Sequence, residues 1–152
     1  MRDVLAPPVY PAGSVLVADP LLLAIAKRAL RHAVDSVVPG TTFIPFLFWY
    51  DDLGWRVFRF MTSMSEAATS TDAEVSAANK ARMLAATVDA CAFVYDGYIR
   101  VAGVRLDAAY CRVSRRGADD GLRLAQPYAL ADRGGTPLGA PHLLETVESW
   151  LP

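Results

Sequence analysis

A chain of 152 residues and 16.4 kDa fits one domain, a size at which roughly 68 to 70 % of the unfolded surface can be buried without a metal or disulfide staple. Hydrophobic residues at 53 %, charged residues at 20 % and a mean hydropathy of +0.25 exclude intrinsic disorder. A net charge of -1 and a pI of about 6.1 provide no global field toward nucleic acid or an anionic membrane.

Residues 1 to 18 carry Arg2, Asp3, Pro7, Pro8 and Pro11 in place of a basic stretch followed by an apolar one, which argues against a secretory signal. The longest apolar run, Phe43 to Tyr50, is far short of the ~20 residues that span a bilayer. Cys91 and Cys111 are too few for a disulfide scaffold or a zinc ribbon, with only His32 and His142 to assist them. The expectation is a soluble, cytoplasmic protein with no membrane partner, no metal site and no cofactor motif.

The first 14 residues, rich in proline, are expected to form an extended N-terminal arm, with residues 15 to 152 as a single domain. Asp19 is placed to cap a helix that begins at Pro20. Leu22, Ile25, Ala26, Ala29, Leu30, Ala33 and Val37 recur on one face of it, Arg28, Arg31, His32 and Asp35 on the other, and Pro39-Gly40 stops it. Thr41 to Tyr50 and Trp55 to Met61, joined by the turn cluster Asp51 to Gly54, read as a hairpin apolar on both faces. Pro45 cannot donate to a ladder and suggests an edge or a bulge.

Ser63 with Glu66 and Thr71 with Glu74 form two capping boxes. A helix from about Asp72 to Ala85 follows, with a stripe through Val75, Ala78, Ala81 and Leu84 or Ala85. Val88 to Val101 and Val104 to Ser114 are strands joined at Ala102-Gly103, and pairing Val101 with Val104 separates their faces. Phe93, Tyr95, Gly97, Ile99, Leu106, Ala108 and Tyr110 share one face; Asp96, Tyr98, Arg100, Arg105 and Asp107 share the other. The same register puts Cys91 and Cys111 on opposite faces, so they should not bridge. Leu122 to Tyr128 is a fifth strand, Ala131 to Ala140 a connector, and His142 to Leu151 a closing helix.

The expected fold is therefore α+β, a single domain with an antiparallel sheet of about five strands packed with helices in the order α-β-β-α-β-β-β-α. The order of elements is similar to that of profilin-like and roadblock-type domains, a likeness of topology with no particular residue behind it.

Three places invite a function. Asp96, Tyr98, Arg100, Arg105 and Asp107 form a polar strand face, with Tyr98 opposite Asp107 and Arg100 opposite Arg105. Two opposed arginines repel unless an anion lies between them, either Asp107 or a carboxylate or phosphate ligand; a solvated sheet face is the bland reading. The arginines from Arg100 to Arg123 give a local positive excess, less than nucleic-acid binding asks. The aromatic hairpin, with Phe46, Phe48, Trp49 and Trp55, reads as core, as a homodimer interface, or as an apolar ligand pocket. No serine elbow, phosphate loop or histidine pair at metal spacing occurs. His32 on its helix face and His142 at a helix start read as solvated or capping residues. The leading expectation is a non-catalytic binding or protein-interaction domain that self-associates through the aromatic hairpin; the alternative is a small enzyme or anionic-ligand-binding protein with its site on the third and fourth strands.

Overall fold

In a computed structural model, which describes residues 3–4, 19–41, 43–61 and 70–151, the chain runs through eight strands and two helices. These are β1 (Asp3–Val4), α1 (Pro20–Ser36), β2 (Phe46–Asp51), β3 (Gly54–Arg59), α2 (Ser70–Leu84), β4 (Ala90–Val101), β5 (Val104–Arg115), β6 (Asp120–Leu130), β7 (Gly135–Pro137) and β8 (His142–Glu148). Strands β2 to β8 pair antiparallel in the order β3-β2-β4-β5-β6, with β7 and β8 sharing the far edge of β6. The single domain is thus dominated by its sheet, with seven antiparallel strands where five were expected and two helices where three were. Of the N-terminal arm, β1 adds in parallel to Tyr98 and Ile99 of β4. The remainder of the arm, Val15 to Ala18 and the Ser63–Glu66 capping box lie outside the described residues.

Asp19 starts α1 as its sequence position requires, its Oδ1 accepting from the amides of Leu21 at 3.1 Å and Leu22 at 3.2 Å. The apolar stripe of α1 lies on one face of the sheet, over Phe46, Phe48, Ala92, Val94, Cys111, Val113 and Leu124. His32 departs from the expected solvated face: its ring sits 5.4 Å from that of Phe46 and 6.1 Å from that of Phe48.

The other face is covered by α2 and by the C-terminal Trp150 and Leu151, over Leu47, Trp49, Phe93, Tyr95 and Tyr110. Here the buried seam is Ala73, Ala77 and Ala81, while Val75, expected inside, is 62 % exposed. Glu74 explains the rotation, because its carboxylate meets Arg112 of β5 at 3.4 Å and so fixes which side of the helix looks down. Alanine at every fourth position then lets the helix backbone approach the sheet closely.

The hairpin of β2 and β3 is formed as read, but β2 is an interior strand between β3 and β4. Pro45 precedes it, so its missing N–H breaks no ladder, and its carbonyl accepts from the amide of Phe60 at 2.9 Å. Because α1 covers one side of β2 and α2 the other, Phe46, Phe48 and Trp49 are core residues, 3 %, 4 % and 8 % exposed. They are not available as the interface expected of them, and of that set Trp55 alone keeps substantial exposure, at 37 %.

Strands β4 and β5 pair in the expected register through Val101↔Val104, around a turn in which Ala102 (φ 50°) and Gly103 (φ 80°) are both left-handed. Cys91 and Cys111 consequently face opposite layers, and both are buried free thiols.

His142 to Glu148 is a strand rather than the start of a helix. Leu143, Leu144, Val147 and Trp150 satisfy helical spacing, but the unpaired edge of β6 offers a ladder that a helix there would leave unmet. A bulge lets the segment fit: Leu143 pairs with Leu124 and Glu145 with Arg123, leaving Leu144 as the extra residue, buried under the α2 layer.

Candidate functional site

Four strands contribute one residue each to a row on the α1 face of the sheet. Trp55 of β3 pairs with Tyr50 of β2, Tyr50 with Ala90 of β4, and Ala90 with Arg115 of β5. The row is large at both ends and small at Ala90, so it leaves a hollow. Leu21, Ala24, Ile25 and Arg28 of α1, spaced so that they share one side of the helix, roof it. With Asp89 and Arg116 at the rim they line a half-open chamber of about 630 Å³. That volume and its mostly apolar wall are those of small-molecule sites.

The chamber wall is stiffened by its neighbours. Trp55 stacks on Phe48 at 4.8 Å and packs at 5.0 Å against Tyr50. Arg28 lays its guanidinium 4.5 Å from the centroid of the Trp55 ring. Arg28 has no carboxylate partner among the described residues. The other arginines are tied down: Arg115 Nη1 donates to both carboxylate oxygens of Asp19 at 3.3 Å, and Arg116 Nη2 to the carbonyl of Ala85 at 2.5 Å.

The five residues expected to form a site, Asp96, Tyr98, Arg100, Arg105 and Asp107, do share the α1 face, beyond the C-terminal end of the helix. Neither of the two larger cavities lined by described residues gathers all five. Asp96 and Asp107 line a second cavity of about 530 Å³ with Arg59, Phe43, Phe46 and Tyr128, and neither Arg100 nor Arg105 reaches it. Arg105 instead lies 3.6 Å over the Tyr98 ring, and the Tyr98 carbonyl accepts from the Tyr110 hydroxyl at 2.6 Å. Burial pushes the Asp96 carboxyl above the usual range, with only a minor addition from the charge of Asp107. Burial, with the charges of Asp107 and Asp96, pushes the Tyr128 phenol up to about 12. An anion in this cavity meets the carboxylates of Asp96 and Asp107 as well as the guanidinium of Arg59, so the cavity's charge is less favourable to that ligand than two opposed arginines would be.

Sequence reasoning missed Arg28, Asp89, Arg115 and Arg116 as chamber residues. The signals were present in part: Leu21, Ala24, Ile25 and Arg28 lie at helical spacing, and the Val101↔Val104 register already set Arg115 opposite Ala90. The pairing of β2 with β4, which completes the row, had no local signal.

Burial and then the charge of Arg59 lower the His32 pKa, with Asp35 opposing, and its Nε2 is buried with no hydrogen-bond partner among the described residues. His142 is the first residue of β8, opposite Ala125. No group of three or more His, Cys, Asp or Glu side chains that could hold a metal ion occurs among the described residues. None of the described helices is long and apolar enough to cross a membrane. Comparison of the chain with protein-family models, with curated proteins and with solved structures finds no match, including for the similarity in element order to profilin-like and roadblock-type domains.

Proposed function

We propose that the protein is a non-catalytic binding domain whose ligand occupies the chamber between the first half of α1 and the β3-β2-β4-β5 row. The observation that carries this reading is the exposed Trp55–Tyr50 wall beside a chamber of about 630 Å³ with an arginine that has no carboxylate partner among the described residues. An aromatic surface left accessible next to a guanidinium forfeits burial that a ligand would recover. The apolar-pocket reading of the aromatic hairpin is thereby preferred over self-association. A ligand that binds only the native state at a hundredfold excess over Kd adds about 2.7 kcal/mol, which for a domain of this size is roughly 5 to 10 °C in Tm. A melting screen of small aromatic and aliphatic compounds should find such a stabiliser, and Trp55→Ser should cancel its effect. A screen without a single stabiliser, or one whose hits act equally on Trp55→Ser, removes the reading.

Self-association is a second reading, favoured by one observation. Tyr50, Leu53, Trp55, Phe58 and Met61 are exposed along the hairpin, and no further strand pairs with β3 among the described residues. Light scattering that gives a dimer at micromolar concentration, lost in Phe58→Lys, supports it; a 16.4 kDa monomer at all concentrations ends it.

A further inference from the structure

We infer that the ligand of the chamber is an aromatic monocarboxylate, an inference that rests on the binding role proposed for this site. Its flat body lies against Tyr50 and Trp55 and its carboxylate meets Arg28. The body follows from the wall: Phe48 and Arg28 take the two faces of the Trp55 ring, and a ligand ring against its edge and against Tyr50 gains edge contacts that a flexible alkyl chain does not, and loses less freedom on binding.

The single negative charge follows from counting what the lining already neutralises. Arg115 is bonded through both oxygens of Asp19, so it adds no net charge to the chamber. Asp89 on the rim offsets one of the two remaining arginines, Arg28 and Arg116. Among the described residues one uncompensated positive charge is left, which suits a carboxylate and repels neither partner. A di- or triphosphate would carry more charge than the lining balances and would face Asp89 directly.

Position selects Arg28 over Arg116 as the carboxylate's partner. One terminal nitrogen of Arg116 is already engaged by the Ala85 carbonyl. Among the described residues Arg28 is held by the Trp55 ring alone, and a guanidinium lying over an indole keeps the N–H donors around its edge free. A carboxylate meeting that edge is gripped at two points, with the ligand's ring directed along the Trp55–Tyr50 wall.

Matched probes test the charge separately from the ring. Dissociation constants of 2-naphthoate, its neutral amide 2-naphthamide, and 2-naphthyl phosphate would be measured by calorimetry on the wild type, Arg28→Gln and Trp55→Leu. We expect 2-naphthoate to bind at least tenfold more tightly than the amide. Arg28→Gln should bring the two together, and Trp55→Leu should weaken both. Arg28 is exposed and its replacement loses only a surface contact with Trp55, so the melting temperature of the empty protein should fall only slightly, which is checked alongside. Equal binding of amide and carboxylate overturns the monocarboxylate while the chamber stands as a site. Tighter binding of the phosphate than of the carboxylate overturns the charge argument. If none of the three binds, the inference is wrong, and the melting screen decides the chamber by itself.

Discussion

The guanidinium of Arg112 and the carboxylate of Glu74 meet 3.4 Å apart across the gap between the sheet and α2. Arg112 lies directly opposite Arg123 on the neighbouring strand, so two like charges are paired on one sheet face, and Glu74 also approaches Arg123 Nη2, at 4.0 Å. Arg112 donates besides to the Glu148 carbonyl at 2.7 Å and rests 4.6 Å from the Trp150 ring centroid, while Arg123 meets Glu145 at 3.3 Å. Burial, the larger influence, favours loss of the Arg112 charge; Glu74 favours keeping it. The internal anion that two opposed arginines require therefore exists in this fold, on the α2 face.

Glu74→Gln leaves both guanidinium groups in a half-dry layer without their shared counter-charge. The expected cost is about 2 kcal/mol, below the value for a fully buried pair because the Glu74 side chain is 26 % exposed. Urea denaturation of wild type and variant measures it. A loss under about 0.5 kcal/mol, the range of ordinary surface changes, would show that solvent already screens the cluster.

Cys91 and Cys111 should resist modification in the native protein. Burial pushes the Cys91 thiol up to about 12 and raises Cys111 further, so neither offers a thiolate near neutrality. Iodoacetamide at pH 8 should leave both unlabelled and should label both in denaturant; rapid labelling of the folded chain would contradict their burial. The same shifts carry a pH sign. The folded thiols hold their protons above the ordinary value of 9.0, so their contribution is complete below pH 9 and is lost as the pH rises toward 12.

His32 acts in the opposite direction. Its folded-state value is depressed from 6.5, chiefly by burial, so the unfolded chain takes up this proton first and stability is lost as the pH falls below about 6.5. His32→Phe removes that proton uptake and keeps the ring contacts with Phe46 and Phe48. Between pH 7.5 and 5.5 the melting temperature of the wild type should fall more than that of the variant. Parallel melting curves would mean that His32 is as well solvated in the fold as outside it.

How far the fold could be read depends on the range of the interactions that decide each part. Asp19 and the α1 stripe are decided within a few residues, and the Ala102-Gly103 turn fixes the register of β4 on β5, with Tyr98 opposite Asp107 and Arg100 opposite Arg105. The rotation of α2 is decided by Arg112, which lies 38 residues from Glu74 in the chain, so the periodicity of the helix alone selected the wrong side for Val75. The C-terminal segment is compatible with either period, and the open edge of β6 makes the choice. For the site, the face of Asp96 and Asp107 was legible from register, but the depth of a cavity depends on where α1 ends above the sheet, and the chamber needs β2 beside β4.

The most direct test of ligand binding at the Trp55 chamber is a titration of the isotope-labelled protein with 2-naphthoate followed by NMR. The indole N–H signals separate the three tryptophans, of which Trp49 and Trp150 are buried in the α2 layer and Trp55 lines the chamber. The Trp55 indole and the amides of Leu21, Ala24, Arg28 and Ala90 should shift together along one saturating curve. Shifts concentrated instead at Asp96, Tyr98 and Asp107, with Trp55 unmoved, would contradict binding at this chamber.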